Sequence, residues 1–173
     1  TYQSASGAGA QGMAELEEQH AALAKGGEPR VEKFAYQLAY NLIPHIDVFT
    51  DNDYTKEEMK MYHETRKIMH SDIVVSATCV RVPVPNGHGV SIVMRAGRDF
   101  KTEEVISALK AQEGIVLKDV PLCRDVYGTD WVAVGRVRKS AADERELLFY
   151  CVADNLLRGA AANAVKIAEG IFS

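Results

Sequence analysis

The chain has 173 residues, 47% of them hydrophobic and 25% charged, which is enough apolar material for one ordinary soluble core. A net charge of −4 and the absence of a Lys/Arg run argue against a nucleic-acid partner. The longest apolar stretches, Ile73–Val75 and Leu147–Val152, are too short for a membrane-spanning helix, and no basic and apolar leader pattern opens the chain, so neither a membrane partner nor a signal peptide is expected. Cys79, Cys123 and Cys151 are odd in number, irregularly spaced and outside any CxxC or Cys/His cluster. That pattern predicts no metal site and no disulfide framework, and a reducing, cytoplasmic setting suits it.

The elements follow in chain order. A small, glycine-rich start over Thr1–Gly12 opens into a helix through Met13–Leu23, stopped by Gly26-Gly27 and Pro29. A connector leads to Asn41–Ile46, where Pro44 forbids regular helix. Asp51–Met69 holds the clearest helix: Thr55 and Glu58 have capping-box spacing, with Tyr54, Met61, Thr65 and Ile68 along one face. Asp72–Pro85, rich in Val, Ile and Thr, reads as a long strand that turns at Pro85-Asn86-Gly87 and returns through His88–Met94 as a hairpin. Thr102–Ala111 reads as a helix with Thr102 as its cap, and Gly114–Tyr127 as irregular. Trp131–Val137 and Leu147–Ala153 are strands joined by the charged loop Arg138–Arg145, and Leu156–Ile171 is a helix capped by Asp154 or Asn155. This order predicts an α+β fold, a mixed and largely antiparallel sheet with helices on one face, in a single domain over residues 1–173.

Four residues carry chemistry on residue type alone. Arg81 lies in an apolar run, where an unpaired guanidinium is expensive to bury; it serves either a structural ion pair or a bidentate carboxylate site. Glu57 and Lys60 stand three apart on a polar helix face, either as a solvated salt bridge or aimed at a common ligand. His88 follows a turn and offers an imidazole, which ordinarily titrates near neutrality. A loop histidine is more often plain surface.

Four segments, taken together and in order, resemble the aspartate-semialdehyde dehydrogenase family. They are Thr1-Tyr2-Gln3-Ser4-Ala5-Ser6-Gly7-Ala8-Gly9, Asn41-Leu42-Ile43-Pro44-His45-Ile46-Asp47, Thr78-Cys79-Val80-Arg81-Val82-Pro83-Val84 with Gly87-His88, and Ala153-Asp154-Asn155-Leu156 running to Gly159-Ala160-Ala161. The resemblance implies the C-terminal domain shared with glyceraldehyde-3-phosphate dehydrogenase-like enzymes. It also implies the reversible conversion of L-aspartate-4-semialdehyde, phosphate and NADP to L-4-aspartyl phosphate and NADPH, on the way to lysine, threonine, methionine and diaminopimelate. By resemblance, His88 is the catalytic acid–base and Gln3 orients the substrate and acyl intermediate. Arg81 takes the substrate α-carboxylate, Glu57 its amine, and Lys60 its carboxylate or phosphate. Asn163, on the final helix, reaches the nicotinamide carboxamide.

Family members commonly carry serine after the histidine. Gly89 stands there instead, which is expected to alter the local turn without removing the base. The family's nucleophile lies in an Asn-Cys-Thr segment and its nucleotide domain precedes that. Thr1 comes after both, so the resemblance implies a substrate-binding and dimerisation half, inactive alone, whose partners are its own N-terminal domain and a second copy. The alternatives are a non-enzymatic dimerisation module and half of a related acyl-phosphate reductase.

Overall fold

The computed structural model describes residues 1–172 and divides into two compact units, residues 1–85 and the remainder from Asn86. Among the described residues no helix is long and apolar enough to cross a membrane.

The first unit is built on a short parallel pair, β1 (Tyr2–Gln3) and β2 (Val80–Arg81), with Gln3 in register with Arg81. Ile43 closes the other side of β2, exchanging both backbone hydrogen bonds with Arg81 at 2.8 and 2.9 Å. A single 3-10 turn (Ala5–Ala8) leads into α1 (Gly9–Ala24). The core of this unit is Ala5, Leu16, Leu38, Ala39 and Ile43, with Met13, Leu23 and Phe34 packed against it. Leu38 and Ala39 lie in a connector without regular structure, so their backbone N–H groups need partners from elsewhere. Gln19 of α1 supplies one: its Oε1 accepts from Leu38 N and Ala39 N at 2.8 and 2.9 Å.

α2 (Lys56–Met69) starts at the expected capping box. Glu58 N donates to Thr55 Oγ1, and Thr55 N donates to Glu58 Oε2. Its expected inner face is less complete, for Met61 and Thr65 are half-buried while Tyr54 and Ile68 are exposed.

The long strand expected over Asp72–Pro85 is not formed. Only Val80–Arg81 is strand, because the run from Asp72 to Ala77 is largely exposed and Pro83 and Pro85 have no N–H to give a ladder. The expected hairpin at Pro85-Asn86-Gly87 is not formed either: β2 pairs with β1, and the returning strand from His88 pairs with residues 146–153.

The second unit is a four-stranded mixed sheet in the order β3 (His88–Arg95), β6 (Glu146–Ala153), β5 (Val132–Lys139), β4 (Ile115–Leu117). The β3–β6 and β6–β5 pairs are antiparallel and β5–β4 is parallel. Val126, Ala133 and Val152 form its buried cluster, under Cys123, Trp131 and Tyr150. β4 and a 3-10 turn over Cys123–Val126 fall in the stretch expected to be irregular. β4 is only three residues long and takes its stability from β5, so no local pattern announces it. α3 (Thr102–Ala111) packs on β4 and β5; Thr102 is its first helical residue and not its cap, which is Lys101. The last helix opens with a π turn over Leu157–Ala161 before α4 (Ala162–Phe172). The α+β expectation holds, with a mixed sheet.

Candidate functional site

In the first unit the backbone brings Gln3, Glu57, Lys60 and Arg81 together. Strand pairing sets Gln3 beside Arg81. The carboxylate of Glu58 sets the helix: besides its capping bond it accepts from Cys79 N at 3.1 Å through Oε1. One side chain therefore pins the start of α2 to the backbone two residues before Arg81. That leaves the neighbouring Glu57 for the site, as expected from the capping spacing.

Glu57 is the hub. Its Oε1 accepts from Gln3 Nε2 at 3.0 Å and its Oε2 from Lys60 Nζ at 2.9 Å. Burial alone would raise its pKa, but the hydrogen bonds from Lys60 and Gln3 and the charges of Lys60 and Arg81 outweigh it and hold Glu57 below the usual carboxylate range. Lys60 is pushed up in turn, by its hydrogen bond to Glu57 and then by that carboxylate's charge. The pair is thus ionised at neutral pH, an acceptor and a donor on one surface.

Arg81 is only 7% exposed. Burial pulls its pKa down and the attraction of Glu57 offsets part of that. It makes one side-chain hydrogen bond, Nη1 to Ser4 O at 2.8 Å, and no ion pair within salt-bridge distance among the described residues. Of the two readings open for Arg81, a structural salt bridge is therefore absent. Thr1 Oγ1 and His45 Nδ1 are the fully buried, unpartnered side-chain atoms among the described residues, so the remaining guanidinium donors retain access to solvent. A buried, cationic fork with donors to spare can hold an anion.

His88 and Asn163 belong to the second unit. His88 is the first residue of β3, half-buried, and stands opposite Ala153 of β6. The turn before it is heavily tied. Asn86 N donates to the Tyr127 hydroxyl, and Gly87 N to Asn155 Oδ1 at 3.1 Å. Gly87 has φ +87°, and a Cβ there would press on Cys123 at 3.2 Å, so glycine suits both the conformation and the space. Gly89, the departure from the family pattern, lies in regular strand: the Tyr150 hydroxyl stands 1.9 Å from where its Cβ would be. Tyr150 occupies the space that a side chain at this position would take. Asn163 is exposed on α4.

Asp154, 2% exposed, was read from sequence only as a possible helix cap, and it does cap. Its Oδ1 accepts from Leu156 N and Leu157 N at 2.9 and 3.0 Å, and its Oδ2 from Asn86 Nδ2 and Gly128 N at 2.9 and 3.0 Å. Burial would raise its pKa, but the backbone donors Gly128, Leu157 and Leu156 and the Asn86 amide win and hold it below the ordinary aspartate value. A depressed folded-state pKa contributes stability above the unfolded value and loses it as pH falls through the folded one. Asp154→Asn is therefore expected to be less stable than the parent at pH 6, and the difference to shrink below about pH 4. Denaturant unfolding at pH 6 and pH 3 measures this; a constant difference would contradict it.

Burial raises the thiol pKa of Cys79, Cys123 and Cys151. None is a ready thiolate nucleophile at neutral pH. Glu58 frames the cluster in the first unit, and Asn86, Tyr127 and Asn155 frame the turn before His88 in the second; residue type alone singles out none of the four. The signals for them were the capping spacing, the Asn-Gly turn and the Asp154-Asn155 pair within a family-like segment.

A family model described as semialdehyde dehydrogenase, dimerisation domain, matches residues 1–158. The aspartate-semialdehyde dehydrogenase of Aquifex aeolicus (strain VF5) is 48% identical over 177 residues, covering 98% of this chain and 52% of that protein. Among solved structures, aspartate semialdehyde dehydrogenase II from Vibrio cholerae, complexed with ASA, has a TM-score of 0.94 at 44% identity, covering 97% of this chain and 52% of that one. A probable aspartate-semialdehyde dehydrogenase from Pseudomonas aeruginosa also has a TM-score of 0.94, at 28% identity, covering 99% and 53%. The chain spans about half the length of the curated relatives it matches. With the fold shared over nearly all of its residues and the model matched from Thr1 to Arg158, this chain belongs to the semialdehyde dehydrogenase dimerisation-domain family.

Proposed function

We propose that this chain is the substrate-binding and dimerisation half of an aspartate-semialdehyde dehydrogenase, acting on L-aspartate-4-semialdehyde and phosphate in the direction of L-4-aspartyl phosphate, and the reverse in biosynthesis of lysine, threonine, methionine and diaminopimelate. The observation that carries this is the Gln3–Glu57–Lys60 chain of hydrogen bonds beside a buried Arg81 with unused donors. An amino-acid aldehyde presents an ammonium, a carboxylate and a carbonyl. Glu57 answers the ammonium, Arg81 takes the α-carboxylate through its planar fork, and Lys60 meets the phosphate or carboxylate. Gln3, with one amide hydrogen on Glu57, orients the acyl carbon. His88 takes and returns the proton at the reacting carbonyl's thiol adduct.

The reaction needs a thiolate, and the raised pKa values of Cys79, Cys123 and Cys151 support a nucleophile other than these three. This chain alone is accordingly inactive. NADP, held mainly by an N-terminal domain, supplies hydride transfer when bound; the exposed amide of Asn163 both donates and accepts, as a carboxamide requires. Two copies pair through this half by a two-fold contact that includes β5 and β6.

The test uses the full-length enzyme that carries this chain, assayed for phosphate- and NADP-dependent oxidation of L-aspartate-4-semialdehyde. Arg81→Lys keeps the charge and loses the fork. Losing a charge-assisted bond of about 1.5–3 kcal/mol is expected to raise KM for the semialdehyde about 10- to 100-fold, with a smaller change in kcat. Absence of the activity removes the proposal, and an unchanged KM removes the role of Arg81.

A further inference from the structure

We propose that Asp154 is a positioning residue for His88, fixing the turn that carries the imidazole and the start of the final helix as one piece. The proposal rests on the reading of His88 as the proton-transfer group.

The two carboxylate oxygens do different work. Oδ1 serves the helix alone, through Leu156 N and Leu157 N. A capping aspartate needs no more than that. Oδ2 serves two other segments, Asn86 two residues before His88 and Gly128 in the loop after the Cys123–Val126 turn. The next residue, Asn155, receives Gly87 N. Both residues of the Asn86-Gly87 turn are thus held by the Asp154-Asn155 pair.

Strand pairing does the rest from the other side. His88 stands opposite Ala153, the residue before Asp154, and is the first residue of the β3–β6 ladder. The ladder sets the backbone from His88 onward, and only the turn sets how the chain enters it. Among the described residues no cation pairs with Asp154, so its negative charge is satisfied wholly by these four N–H donors. Removing the carboxylate's second oxygen releases the turn and leaves the cap. Because the same side chain caps the helix that carries Asn163, it also sets that helix's start relative to His88 within this unit.

The division between the oxygens makes the idea testable. In the full-length enzyme, the amide oxygen of Asp154→Asn still caps Leu156 and Leu157, while its NH2 faces Asn86 and Gly128. The expected result is kcat lower by about 10- to 100-fold, with KM for the semialdehyde within about threefold. The imidazole limb of the pH–rate profile and the His88 side-chain NMR resonances should both move. Asn86→Asp combined with Asp154→Asn reverses the polarity of the link and should recover most of the lost kcat. Asn86→Ala, which spares the cap, guards against a variant that fails to fold and should show the same kcat loss and the same displaced resonances.

Parent-like kcat and His88 resonances in Asp154→Asn or Asn86→Ala overturn the proposal, as does no recovery in the double variant. His88→Ala separates the two ideas: if it keeps turnover, the base reading fails. The His88 resonances still report whether Asp154 places the ring.

Discussion

His88→Ala in the full-length enzyme is expected to lower kcat by about 10²- to 10⁴-fold, the usual contribution of a positioned general acid–base. That corresponds to about 3–5 kcal/mol of lost transition-state stabilisation. KM for the semialdehyde should change little, because the groups assigned to substrate recognition (Gln3, Glu57, Lys60 and Arg81) are untouched. The limb of the pH–rate profile that falls in the imidazole range should vanish with the side chain. His88→Asn keeps a hydrogen-bonding group of similar reach but not a titrating one, and it should be nearly as slow. Near-parental kcat in His88→Ala would show that the proton moves through another group. The frame around His88 makes the experiment clean: β3 pairs with β6 along its whole length, and the turn before it is tied through Asn86 and Gly87. The backbone on both sides of the ring is therefore held whatever side chain stands there.

Gln19→Ala should cost about 3–5 kcal/mol of folding stability, a large share of the roughly 5–15 kcal/mol typical of a domain. Gln19 is fully buried and uses its whole amide. Its oxygen accepts from Leu38 N and Ala39 N, and its nitrogen donates to Glu15 Oε1 at 3.0 Å and Arg30 O at 3.1 Å. Truncation strands two buried backbone N–H groups, each at about 1–3 kcal/mol, and leaves a cavity beside the Leu16–Leu38 cluster. Gln19→Leu restores the volume and not the acceptor, so it should lose nearly as much. Denaturant unfolding decides between them: a cost below about 1 kcal/mol for either variant would mean the connector finds its partners elsewhere. The effect should reach function too, because the connector delivers Ile43 to the free side of β2, where it pairs with Arg81.

Local pattern carried the regular helices and the hydrogen-bonded antiparallel pair of the second unit. α2 was legible because Thr55 and Glu58 are three apart and the bonds that spacing allows are short-range. β5 and β6 were legible because each is a continuous β-rich run flanked by charge. Asp72–Pro85 misled because β-branched composition records a tendency to pair and not the presence of a partner. Its first part, Asp72 to Ala77, is largely exposed, and its two-residue strand exists only because β1 and Ile43 flank it. Residue type and the order of the family-like segments singled out Gln3, Glu57, Lys60 and Arg81 in the first unit and His88 in the second. They were silent on Glu58 bonding Cys79 N, and on Asp154 holding Asn86, since those contacts span 21 and 68 residues.

From sequence alone come the α+β class, the capping box of α2, and a set of polar and charged side chains that the family resemblance singles out. The first two rest on residue type or on spacings within one turn of helix or one strand; the last rests on the order of the family-like segments. Only the tertiary structure decided that Glu57 is shared between Gln3 and Lys60, that Arg81 is buried with no ion pair among the described residues, and that Tyr150 fills the space beside Gly89. Those facts depend on which backbone segments meet, and chain separation of dozens of residues erases any local trace of them. The physical reason is the same in each case: burial and long-range hydrogen bonds set the charge state and the direction of a side chain, whereas the sequence specifies only which group is there to be set.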